Sequence, residues 1–238
     1  MSDITLIDLV ENGTMSAEIA ATLASVTSQR HSFAVVAVPR FAGKSTVIDA
    51  MLHCVPTNVP LYRLSGDEAE MERLQQKGSG GYLVVGEFSR GPVPGYIWGS
   101  PVRKVFETMR VGYSLSTALH ADSIEAAYAA ICQTNGVSDQ DASNLTYMVY
   151  IERMGDDGDS FWRRISPVQE VERVVGGRPQ GRLLFRWSAK SDSFEQVEEP
   201  RLLGINRSWL RERAFRITEL VTSGRTSVED VQAIIARP

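Results

Sequence analysis

Three groups of side chains in this 238-residue sequence are spaced as a phosphate-handling site requires: a glycine followed by a lysine and hydroxyls, a carboxylate one strand downstream, and a histidine closing a later strand. The first group is Gly43-Lys44-Ser45-Thr46, which ends the segment VPRFAGKST (residues 38–46). Such a turn works because successive backbone N–H groups wrap an anion at a helix N-terminus, where the dipole favours negative charge. Lys44 would reach the β- and γ-phosphates of a nucleotide and Ser45 would ligate Mg²⁺. The binding set is therefore Pro39, Arg40, Phe41, Ala42, Gly43, Lys44, Ser45 and Thr46, with ATP and Mg²⁺ as the expected ligands. Val38 and Phe41 stand where glycines are usual. A positive φ at either would cost about 1 to 2 kcal/mol, or roughly 5- to 30-fold in affinity.

Hydrolysis also needs a carboxylate at the end of a neighbouring strand, to hold Mg²⁺ through water or to orient the attacking water. Glu87, after the apolar run YLVV (82–85), supplies one, so Ser45 and Glu87 form the expected metal set. Asp67 and Glu68 follow a second apolar run and have two readings, residues beside the phosphates or a capped, solvated helix start. His120, at the end of YSLSTAL (113–119), is placed either to sense the γ-phosphate or to serve structure alone.

These residues require a strand, turn and helix in a fixed order. FAVVAV (33–38) is apolar and β-branched, which suits a strand buried on both faces, and STVIDAMLHCV (45–55) then recovers helical spacing. Strand and helix keep alternating: VPLYRL (59–64), DEAEMERLQQK (67–77), YLVV, PVRKVFETMR (101–110), YSLSTAL, IEAAYAAICQTN (124–135) and LTYMVYIE (145–152). The pattern predicts an α/β fold with a parallel sheet and right-handed crossovers. Two helices lead in over residues 3–30, the second capped by Ser16. The Gly/Pro-rich RGPVPGYIWGSP (90–101) reads as a loop. After Gly155 the text turns to shorter, more polar strands, WRRISPVQEV (162–171), LLFRWSA (183–189) and SFEQVE (193–198), read as antiparallel additions. From Asn206 a helical stripe of Leu210, Ala214, Ile217 and Val221 stops at Gly224, and Ser227 with Asp230 caps a last helix. We expect lead-in helices over 1–30, a core over 31–153, β-additions over 154–203 and a C-terminal helical subdomain over 204–238.

A formal net charge of −4 offers no basic surface for sequence-independent nucleic-acid binding, so no nucleic-acid partner is expected. The two cysteines, Cys54 and Cys132, support neither a disulfide framework nor a zinc site and read as free thiols in a reducing compartment. No targeting segment or long apolar run is present, so a cytoplasmic protein is expected, with membrane association only through partners.

In order and wording the sequence resembles the secretion ATPases, the motors of type II secretion, type IV pili, archaella and type IV secretion. DLVENG through GKST (8–46) is similar to the family's lead-in helices and Walker A segment, and YLVVGEFS (82–89) to its Walker B strand. GYSLSTALHADS (112–123) is similar to its His box, and RRISPVQEV, LLFRWSA and residues 212–235 resemble its β-additions and final helices. The resemblance implies a RecA-like fold in which Lys44 and Ser45 bind phosphate and Mg²⁺, Glu87 activates water, His120 faces the γ-phosphate and Glu68 stands in the family's acidic box. It further implies a homo-oligomeric ring, a hexamer, docked on a membrane platform protein of a pilus or secretion machine. The family's N-terminal domain, with its nucleotide-facing arginines, is not among these residues, so a partner or neighbouring subunit is expected to supply them. A non-hydrolysing structural relative is the alternative.

Overall fold

A computed structural model describes residues 3–39, 41–155 and 161–235. The chain opens on α1 (Leu6–Glu11), where the Thr5 hydroxyl accepts from the Ile7 and Asp8 amides while the Asp8 carboxylate accepts from the Thr5 N–H, a full capping box. Ser16 caps α2 (Ala17–Ser28) by accepting from Ile19. Then come β1 (Phe33–Val36), α3 (Lys44–Leu52), β2 (Leu61–Arg63), α4 (Glu68–Lys77), β3 (Gly81–Val84), β4 (Glu87–Phe88), β5 (Tyr96–Ile97), α5 (Ser100–Met109), β6 (Tyr113–Leu119) and α6 (Ile124–Ala129). The chain continues through α7 (Asp139–Ala142), β7 (Tyr147–Gly155), β8 (Phe161–Val175), β9 (Arg178–Ser188), β10 (Ser193–Gln196), α8 (Arg207–Thr222) and α9 (Val228–Ile235).

Among the described residues all ten strands join one sheet, whose main path runs β10-β9-β8-β7-β1-β6-β3-β2. The half from β7 to β2 is parallel, and β7 through β10 are antiparallel. Strand β6 stands between the loop-bearing β1 and β3, the strand that leads to Glu87. Fold class is thus α/β, with a parallel core, antiparallel β-additions and a helical tail, as the sequence pattern predicts.

The buried pleat of β1 explains the layers. Phe33, Val35 and Ala37 point to a core made with α1, α2, α3, α8 and α9, whereas Ala34 and Val36 point to a core made with α4, α5, α6 and α7. With helices on both faces, the central strands have no solvent side, and β1 and β6 are buried throughout. Leu210, Ala214 and Ile217 of the predicted stripe are buried in the first core. Cys54 is buried and Cys132 half-buried, and both are free thiols.

Four features differ from the sequence expectation. The C-terminal strands are long, not short: β8 has 15 residues and β9 has 11. Their polar residues lie on an outward face stitched by cross-strand ion pairs, Arg182 to Glu172 at 2.9 Å and Arg186 to Glu195 at 2.7 Å, so the ladder continues with one side in water. The Gly/Pro-rich loop contains β5, held parallel to β4 by bonds such as Ser89 N–H to the Ile97 carbonyl at 3.1 Å. The helix after Ser123 loosens into a π turn over Ala130–Thr134, and α7 follows it, capped by Ser138. Finally, Glu170 of β8 is fully buried. It accepts from the Tyr147 hydroxyl at 2.7 Å and from the amides of Arg201 and Leu202, each at 2.9 Å, and so ties the approach to α8 onto the sheet.

Candidate functional site

The turn after β1 lies at the C-terminal edge of the parallel strands, where open α/β sheets bind ligands. Gly43 is its hinge. With φ 96° and ψ 16° it takes the left-handed conformation as N-cap of α3, and its carbonyl accepts from Val47 N–H at 3.0 Å. Of the two residues standing in for glycines, Val38 avoids positive φ and Phe41 takes it, at 59°. The strain foreseen for this loop therefore falls on Phe41, whose ring is 86% exposed and packs on little. Ala42 is buried, Pro39 and Thr46 are half-buried, and Ser45 is exposed at the second position of α3. Arg40 lies outside the described residues.

Lys44, the first residue of α3, meets Glu87 across the sheet edge. Its Nζ is 3.1 Å from Glu87 Oε2, with the two side chains only 12% and 11% exposed. Glu87 is fixed by its backbone, because β4 is clamped between β5 and β6 and the Glu87 N–H donates to the Gly95 carbonyl at 3.3 Å. Phe88 pairs with Leu119, so His120, the next residue after β6, emerges exposed at the same edge.

Asp67 and Glu68 part company. Asp67 caps α4, its Oδ1 accepting from Ala69 N–H at 2.9 Å. Glu68 is exposed, and its Oε1 accepts from the Ser100 hydroxyl at 2.7 Å, joining the starts of α4 and α5.

Arg163 is the residue that sequence reasoning did not single out. From β8 its Nη2 donates to the Phe41 carbonyl at 3.0 Å. A Cβ placed on Gly43 would lie 3.0 Å from Arg163 Nε, a tight approach that only a shift of the arginine side chain would relieve. Register sets Arg163 opposite Arg153, and the two guanidiniums flank the Phe161 ring at 4.6 and 4.5 Å. The string WRR was visible, but the hairpin register that carries it to the loop was not. A separate cavity of about 390 Å³, lined by Arg30, His31, Tyr113 and Asn144 among others, sits at the opposite edge of the strands and holds none of these groups.

Neither the family models nor the curated proteins compared with the chain give a match. Among solved structures, the chain is similar to the VirB11 ATPase from the Brucella suis type IV secretion system in complex with sulphate, at 16% identity and a TM-score of 0.47, over 69% of this chain and 54% of that one. It is also similar to the Legionella pneumophila ATPase DotB, at 8% identity and a TM-score of 0.45, over 90% of this chain and 63% of that one. The chain thus spans less than two thirds of the length of either structure. Among the described residues no helix is long and apolar enough to cross a membrane.

Proposed function

We propose that this chain is an ATP-binding, ATP-hydrolysing motor subunit of a pilus or secretion machine. The observation that carries the reading is the Lys44–Glu87 pair, a cation and a carboxylate held 3.1 Å apart at the turn that opens α3. The turn's residues suit a phosphate tail. Gly43 opens the backbone at the head of α3, Lys44 stands beside it and Ser45 is exposed there. Lys44 and Ser45 would hold the phosphates and Mg²⁺, and the metal would supply charge neutralisation between phosphate oxygens. Phosphate binding draws Lys44 away from Glu87 and leaves that carboxylate to orient water. His120 and Glu68, at the same edge, take the phosphate-sensing and acidic-box roles of the secretion ATPase resemblance. In this reading residues 1–203 form the motor domain and residues 204–238 a helical extension of it. The subunits form a hexameric ring in the cytoplasm, against a platform protein at the inner membrane.

Positive φ at Phe41 favours a second reading, a non-hydrolysing structural subunit. An ATPase assay on purified protein separates the two, run over a wide protein concentration range beside Lys44→Ala and Glu87→Gln. Mg²⁺-dependent turnover that Lys44→Ala removes supports the motor. Absence of ATP binding at millimolar ligand excludes it.

A further inference from the structure

We propose that Arg163 is an anion-binding residue which this chain sets over its own phosphate turn, where it takes the polyphosphate tail of the bound nucleotide. The inference deepens the nucleotide reading above and rests on it.

Position comes first. The Arg163 side chain extends from β8 to the turn, where its Nη2 donates to the Phe41 carbonyl at 3.0 Å. Its Cδ and Nε lie 3.1 and 3.0 Å from where a Gly43 Cβ would be. The guanidinium therefore borders the backbone that would wrap a phosphate, on the same turn as Lys44.

Among the described residues, no carboxylate pairs with Arg163. Three other arginines of the antiparallel strands face carboxylates: Arg164 binds Asp192 through two bonds of 2.8 Å, Arg182 binds Glu172 and Glu198, and Arg186 binds Glu195. Arg163, among the described residues, faces a carbonyl, an aromatic ring and the like charge of Arg153, and its Nε is buried with no acceptor. Burial, and then the nearness of Arg153, push its pKa below the ordinary arginine value, so this guanidinium is held charged at a cost. An anion in the turn would relieve both deficits. A guanidinium fork also matches phosphate oxygens in a way that a neutral carbonyl does not.

A simpler role would be to hold Phe41 in its positive-φ conformation through the carbonyl bond alone, and the experiment is built to separate the two. Fluorescent ATP and ADP analogues are titrated against the wild-type chain, Arg163→Gln, Arg163→Lys, Lys44→Ala and the double variant Arg163→Gln/Phe41→Gly, with thermal melts confirming that each is folded. Losing one charge-assisted contact should weaken ATP by about tenfold to a hundredfold in Arg163→Gln, and by less in Arg163→Lys. The double variant should stay weak. Wild-type affinity in Arg163→Gln, or affinity restored by Phe41→Gly, overturns the proposal. If Lys44→Ala loses binding while Arg163→Gln keeps it, the proposal alone falls. If the wild-type chain binds no nucleotide, the nucleotide reading falls and takes the proposal with it.

Discussion

Lys44 Nζ and Glu87 Oε2 lie 3.1 Å apart with most of both side chains withdrawn from water. A pair so screened from solvent is a competitor for any anion entering the turn, because Lys44 must leave one negative partner to reach another. Glu87→Gln removes the competitor and, in the proposed function, the carboxylate that orients water. We expect ATP to bind about three- to tenfold tighter while turnover falls by about 10² to 10⁴. Titration and a steady-state ATPase assay check the two halves, and weaker binding in Glu87→Gln would contradict the competition.

Phe41 at φ 59° is an exposed aromatic in a glycine's conformation. Phe41→Gly relieves about 1 to 2 kcal/mol of backbone strain and adds about 0.5 to 1 kcal/mol of unfolded-state entropy. The stability of the variant should stay within about 1 kcal/mol of wild type, far from the 3 to 5 kcal/mol typical of truncating a buried phenylalanine. Urea denaturation measures this, and a loss of about 3 kcal/mol would show that the ring packs on something essential.

His31 stands edge-on to Tyr147, with ring centroids 5.4 Å apart. Burial holds its pKa below the ordinary histidine value, opposed in part by the Glu170 charge. The folded state therefore binds this proton less readily than the unfolded chain does. Stability from this group is complete above about pH 6.5 and declines as pH falls from there through the lowered folded-state value. Melts of wild type and His31→Gln between pH 8 and pH 5 test it, and the variant should show the shallower decline on the acid side.

Gly181 pairs with Val171 at a register shift between β8 and β9, where a Cβ would fall 1.9 Å from the Glu170 carbonyl oxygen. Backbone cannot yield there as a side chain would. Gly181→Ala should cost about 2 to 4 kcal/mol and lower the melting temperature by about 5 to 15 °C. An unchanged melt would mean that the strands separate locally at little cost.

The parallel core was legible because its signals are local. Phe33–Val36 is apolar at every position, Gly43-Lys44-Ser45 sits at the change from strand to helix, and Ser16, Asp67 and Ser227 carry side chains that cap. Lys44 and Glu87 could be named from sequence, but their contact depends on β6 inserting between β1 and β3, a matter of topology. Arg163 was hidden for a similar reason: only pairing with Arg153 and the path of β8 bring it to Phe41. β5 was masked by the prolines and glycines around it, because a two-residue strand has no periodicity to read.

Strand pairing runs from β10 through β7 and β1 to β2, with register shifts between β7 and β8 and between β8 and β9. Arg163 and the strand that leads into the turn before Lys44 are therefore mounted on one sheet. A displacement imposed at the β9–β10 margin would be carried through these pairings to β1, and so toward the turn that Gly43 closes.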